Sequence, residues 1–305
     1  MLPGAVAAQD QFAAAQRVSS DARGTWIVLL GTGTPNPEPD RSGPAIAVVV
    51  DDTPYLIDFG PGVVRRAAAA QQRGVQALRI SNLKHAFVTH LHSDHTAGFA
   101  DLILTPWVLE RDSALRVWGP PGTRSMADRL LAAYAADIRM RTSGAQPIDP
   151  AGIEVVAVDI EPGEVYRDER VRVEAFAVPH GDVPRAYGYK FTTPDGVVVI
   201  SGDTGPFEAM AEIARGADAL VHEAYATEGW RRREPEWQDY HLKAHTSATD
   251  VGRLAARAQV KRVVLVHQLL WGATEEQMVE EVRAQYEGPV IYGRDLDVIE
   301  IGVRR

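Results

Sequence analysis

From Trp26 onward, short β-branched runs alternate with stretches whose apolar positions recur at helical spacing. WIVLL, AIAVVV and PYLID come first, each short and rich in residues that favour a pleated backbone. An alanine-rich stretch from about Val63 reads as a helix and HAFVTH as the next strand. Residues 97–109 and 124–138 predict helices around the turn VWGPPG, and IEVVAV, VRVEAFAV, YGYKFTT and VVVIS predict strands. A helix near 206–215, the strand ALVHE, a helix near 247–257, the strand RVVLVH and a helix near 274–286 lead to the closing strands PVIYG and DVIEI. So many strands, with helices in both halves, predict a layered α/β domain and not a bundle or a two-sheet sandwich without helices. No low-complexity linker divides it, so one domain over 23–305 behind a flexible tail at 1–22 is expected.

Composition removes several alternatives. The chain of 305 residues is 45% hydrophobic and 24% charged, ordinary for a soluble globular protein, and no apolar run reaches the length that spans a bilayer. A formal net charge of −9 gives no bulk attraction for nucleic acid. With no cysteine, disulfides, zinc-thiolate sites and thiol nucleophiles are all excluded, which leaves histidine and carboxylate as the strong metal ligands. Residues 1–22 lack a basic n-region and a long apolar h-region, so a cytoplasmic location is expected as written. Ala5-Val6-Ala7-Ala8-Gln9 resembles a small-residue cleavage site, and a trimmed signal peptide with a periplasmic or secreted protein is the alternative. Gly31-Thr32-Gly33-Thr34 lacks the full spacing of a dinucleotide loop and precedes another strand, so it reads as a structural turn.

The densest chemistry is THLHSDHTAG at 89–98, where His90, His92, Asp94 and His95 fall within six positions. On an extended segment His90 and His92 point to one side, while Asp94 and His95 lie where the chain turns into a helix and reach a second centre. Four ligand-type side chains this close have no packing rationale without a metal. They cannot complete two coordination shells, so further ligands are expected at other strand ends. His180 ends VEAFAVPH, Asp203 follows VVVISG and His267 ends RVVLVH, each at the C-terminal edge where open α/β sheets place their chemistry.

This series, with LIDFGPG at 57–63 and SGDT at 201–204, resembles the metallo-β-lactamase superfamily over about Trp26 to Ile301. The resemblance implies an αββα sandwich with two divalent ions, usually Zn²⁺, with Mn²⁺ or Fe as alternatives. It implies that His90, His92 and His180 hold the first ion, that Asp94, His95 and His267 hold the second, and that Asp203 bridges them. HEAY at 222–225 and AHTS at 244–247 resemble motifs of the RNase Z branch, where a glutamate orients a histidine that protonates the leaving group. Here those are Glu223 and His245, which join Asp94 as catalytic candidates. RNase Z proteins commonly carry a long tRNA-binding arm before the bridging aspartate. Between His180 and Asp203 this chain has GDVPRAYGYKFTTPDGVVVISG, enough for a hairpin, so nucleic acid is not the favoured partner.

Two divalent ions acidify water and offset charge on an attacked ester, which suits a small anionic ester as substrate. The expected activity is a metal-dependent phosphodiesterase. An arylsulfatase of the same branch is the nearest alternative, followed by tRNA 3′ processing, a lactonase or other acyl hydrolase, and a non-catalytic binding member. Trp107, Tyr225 and Trp271 are candidates for an aromatic substrate wall, with core packing as the competing role; Trp230, Trp237 and Tyr240 belong to the same concentration of rings. His85 and His241 read as surface or packing residues, and Arg231-Arg232-Arg233 as a solvated charge run. No membrane partner is expected, and a homodimer stays open because members of the superfamily are often dimers.

Overall fold

The computed structural model describes residues 23–146 and 148–304; the tail and the cleavage-site resemblance lie outside them. The first sheet contains β1 (Arg23–Gly31), β2 (Ala45–Val50), β3 (Thr53–Ile57), β4 (His85–Phe87), β5 (Leu115–Gly119), β6 (Val155–Asp159) and β14 (Val298–Arg304). Its spatial order is β14-β1-β2-β3-β4-β5-β6, antiparallel through β3 and parallel beyond it. The second sheet contains β7 (Gly163–Arg167), β8 (Arg172–Ala177), β9 (Tyr187–Thr193), β10 (Gly196–Ile200), β11 (Ala219–Tyr225), β12 (Val263–Leu269) and β13 (Val290–Tyr292). Its order is β13-β12-β11-β10-β9-β8-β7, with β10 to β13 parallel and β7 to β10 antiparallel.

Side-chain alternation explains why the strands read as continuous apolar runs. In β1, Ile27 and Leu29 enter the core between the sheets while Val28 and Leu30 face the outer helices, so all four are buried. Each such side chain contributes about 1.5–3 kcal/mol on burial. The outer face of the first sheet packs on residues of helices Val63–Gln72, Phe99–Val108 and Thr123–Ala133. Helices Ala248–Ala258 and Glu275–Arg283 cover the outer face of the second. Helix, sheet, sheet and helix layers therefore form the expected αββα sandwich.

Several elements depart from the sequence reading. LRVWG is strand β5, although VWGPPG reads as a turn, and β7 was not anticipated because GEVYR lies at a sheet edge with mostly polar, half-exposed residues. The helix expected at 124–138 is two helices that meet at Tyr134, and the one expected at 206–215 contracts to Met210–Ile213. Helix Pro235–Ala244 buries only His241 and Ala244, so its sequence carries little apolar periodicity to announce it.

Candidate metal centre

The predicted ligands converge at one edge of the sandwich. His90 follows β4, His180 follows β8, Asp203 follows β10 and His267 lies within β12; Asp94 and His95 belong to the short helix Ser93–Thr96. Their ligand atoms fall into groups within 4.8 Å of one another: His90, His92 and His180; Asp94, His95 and His267; and His90, His95 and Asp203. Asp203 also groups with His180 and His245, which puts it within reach of both clusters. All seven except His92 are buried.

Local structure explains this placement. Glu223 in β11 pairs with Val266 in β12 but Ala224 pairs with Gln268, so His267 is the extra residue of a bulge, with φ 45°. A bulge re-aims one side chain, and a left-handed non-glycine residue costs about 1–2 kcal/mol, strain typical of a functional position. Asp58, in LIDFGPG, is also left-handed with φ 60°. Gly60 lets that turn lie against the ligand loop, since a Cβ there would come 2.3 Å from the Asp94 carbonyl oxygen.

Hydrogen bonds fix the imidazole tautomers. Asp58 accepts from the Thr89 amide at 2.8 Å, the Thr89 hydroxyl at 2.9 Å and His95 Nδ1 at 2.7 Å. His95 Nε2 thus faces the centre, 3.4 Å from both the Asp94 and the Asp203 carboxylates. His180 Nδ1 donates to the Ala244 carbonyl at 2.7 Å, leaving a lone pair on Nε2. With its proton given to Asp58, the Thr89 hydroxyl accepts from His90 Nδ1 at 3.0 Å, so His90 Nε2 also carries a lone pair. These two lone pairs meet His92 Nδ1 at 3.3 and 3.0 Å, and one proton cannot satisfy both. Imidazole lone pairs converging on one another and on buried carboxylates are a donor set that fits divalent cations.

Without a cation, burial and neighbouring carboxylates act differently on the imidazoles. Burial, then the His95 neighbour, holds His90 well below the ordinary imidazole range, and burial lowers His180. Burial also opposes charge on His95, but the Asp203 and Asp58 carboxylates outweigh it and raise that imidazole well above its usual value. Burial opposes charge on Asp203 too, but His267 and His95 keep it ionised, well below the usual carboxylate range.

Glu223 and His245 lie beside this cluster. His245 follows helix Pro235–Ala244 in an extended link, with its ring 5.3 Å from His180 and 5.6 Å from His267 between centroids. His245 Nδ1 faces Glu223 Oε2 at 3.3 Å, and Glu223 Oε1 accepts the Thr246 amide at 2.8 Å. Burial pushes His245 down to about 4 and, with Asp203, raises Glu223 well above the carboxylate range.

Of the candidate wall, Tyr225 and Trp271 are neighbours, whereas Trp107 packs elsewhere. Trp107 is 1% exposed and donates its indole N–H to the Asp149 carbonyl at 2.9 Å, because its helix turns it into the core. Tyr225 is 3% exposed, packed between Trp230 and Trp271 with ring centroids 6.0 and 5.9 Å away. Trp271 is half-buried against His241, with ring centroids 4.2 Å apart. Sequence reasoning did not assign Asp58 its role toward His95; a carboxylate flanked by a glycine turn was the available signal.

The fold and this centre define a metal-dependent hydrolase, and residues 53–268 match the family described as the beta-lactamase superfamily domain. The chain belongs to the metallo-β-lactamase superfamily, in its RNase Z-like branch. It is 34% identical over 289 residues to Ribonuclease Z of Mycobacterium bovis (strain BCG / Pasteur 1173P2), covering 92% of this chain and 99% of that protein. Among solved structures it resembles the metallo-β-lactamase fold protein YhfI from Bacillus subtilis, with TM-score 0.71, 15% identity and coverage of 91% and 99%. It also resembles the short form of human tRNase Z, with TM-score 0.65, 21% identity and coverage of 91% and 99%. At these identities the structural likenesses speak to fold alone.

Proposed function

We propose that this centre hydrolyses phosphodiesters with two divalent ions and that the biological ester lies in RNA. The observation that carries the reading is the Glu223–His245 pair set against both ligand clusters, a proton donor of the kind a departing alkoxide needs. The Ribonuclease Z name of a relative spanning 92% of the chain supports RNA over the small esters favoured by the sequence alone; the arylsulfatase reading gains no support.

His90, His92 and His180 would hold one ion and Asp94, His95 and His267 the other, with Asp203 between them. Zinc is the proposed metal, since imidazole and carboxylate donors without thiolate suit it. When bound, such a pair supplies Lewis acidity, acidifying water and offsetting charge on the attacked phosphate. Asp58 and the Ala244 carbonyl hold the His95 and His180 rings in the tautomers that present Nε2 to the centre. Glu223, fixed by the Thr246 amide and kept protonated by burial, would pass its proton to His245 Nδ1 as His245 Nε2 gives its own to the leaving oxygen.

One observation favours a second reading. Only Pro194 and Asp195 separate β9 from β10, so no long arm projects between His180 and Asp203 to dock a whole tRNA. The test is incubation of a precursor tRNA bearing a 3′ trailer, and separately of bis-p-nitrophenyl phosphate, with zinc or manganese and with a chelator. Metal-dependent trimming of the trailer supports the RNA reading. Turnover of the nitrophenyl ester alone moves the substrate to small diesters, and no turnover of either rejects the proposal.

A further inference from the structure

Helix Pro235–Ala244 carries rings that neither the core nor the metal centre accounts for. Trp237 and Tyr240 are 49% and 40% exposed, with centroids 5.8 Å apart in an edge-on pair. Both lie on the helix that ends at His245, and the Tyr240 ring is 6.4 Å from the His245 ring. Tyr240 also overhangs the segment after His180: a Cβ on Gly181 would sit 3.8 Å from Tyr240 Cε2, and the Gly181 amide donates to the Lys243 carbonyl at 3.1 Å. An isolated exposed aromatic needs no explanation, but two side by side at the rim of a reaction centre form a surface.

That surface is held in place from behind. The Arg233 guanidinium carbon is 5.3 Å from the Trp237 ring and 5.3 Å from the Trp271 ring, a cation between two aromatic faces. Trp271 in turn packs on His241, which donates from Nδ1 to the Trp237 carbonyl. Arg233 therefore serves the aromatic group, with its Nε also 3.9 Å from the Glu234 carboxylate.

We propose that Trp237 and Tyr240 form a stacking shelf for the nucleobase beside the scissile phosphate, on the side of the departing oxygen. The inference rests on the phosphodiesterase reading above and names the substrate feature that the site grips. A phosphate or small alkyl ester has no flat apolar face to lay on these rings, whereas every nucleobase has one, and stacking tolerates any base identity. The side follows from the neighbour: the shelf adjoins His245, the residue assigned to the leaving oxygen, so the base belongs to the nucleoside that departs with its 3′ oxygen.

The experiment is calorimetric binding of adenosine 3′-monophosphate and of inorganic phosphate to the metal-loaded protein. Wild type is expected to bind the nucleotide about 5- to 100-fold more tightly than phosphate. In Trp237→Leu and Tyr240→Leu that ratio should collapse toward one, while Trp237→Phe, which keeps a ring, retains most of it. A ratio near one in wild type, or one unchanged by both leucine substitutions, overturns the shelf. The readout is independent of turnover, so a protein that shows the ratio but cleaves no diester keeps the shelf and loses the hydrolase reading.

Discussion

His245 is proposed to protonate a departing oxygen, so the effect of removing it should depend on how badly that oxygen needs a proton. On an RNA diester, whose leaving group is an alkoxide, His245→Ala is expected to lower kcat about 10²- to 10⁴-fold. On bis-p-nitrophenyl phosphate the loss should be much smaller, because nitrophenoxide leaves without a proton. Steady-state rates on both esters check this, and equal losses would contradict the acid role. Asp58→Asn should weaken metal affinity about 10- to 100-fold by releasing His95 Nδ1, as titration with a chromogenic chelator would read. The seven proposed ligands stood out in sequence because four crowd into one short loop and the other three lie at or just past apolar runs that read as strands. The Asp58 contact was not, since it joins residues 37 apart whose meeting depends on the pairing of β3 with β4.

At the scale of elements, AHTS does three jobs in three consecutive residues. His245 enters the centre, the Thr246 amide holds Glu223, and the Ser247 hydroxyl caps helix Ala248–Ala258 by accepting the Asp250 amide at 3.0 Å. Ser247→Ala is expected to cost about 0.5–2 kcal/mol of stability, measured by denaturant unfolding. An unchanged midpoint would show that the cap is replaced by another acceptor or by water. Strands buried on both faces were legible as apolar runs. Edge strand β7 and helix Pro235–Ala244 were not, because exposure removes the periodicity that reveals an element. The bulge at His267 was also invisible, since nothing in RVVLVHQL marks where β12 gains a residue on β11.

Across the whole molecule, one of the ties between the two sheets at the end remote from His90 and His180 is the Asp168 carboxylate. Asp168, just past β7, accepts the Tyr55 hydroxyl from β3 at 2.5 Å and the Tyr166 hydroxyl at 2.8 Å. Burial opposes its charge, but these hydroxyls and the amides of Val171 and Arg170 outweigh burial and hold it below the usual carboxylate range. A depressed folded value adds stability above the unfolded pKa and loses it as pH falls through the folded one. Asp168→Asn should therefore destabilise by about 1–3 kcal/mol near neutral pH, and the gap from wild type should narrow in acid. Urea unfolding at both pH values checks the sign; a gap that widens in acid contradicts it. At the opposite edge, the buried Asp94 and Asp203 carboxylates should make the fold depend on bound cations. The layered architecture was legible from the order of strands and helices, but the packing that gathers seven ligands at one edge required the structure.

The seven residues are proposed to hold two divalent ions, and elemental analysis of metal per chain in protein purified without added metal reads this directly. About two divalent ions per folded chain are expected, chiefly zinc, with both lost in Asp203→Ala or sharply reduced. A folded wild-type chain that carries no divalent metal and takes up none on dialysis against zinc would contradict it.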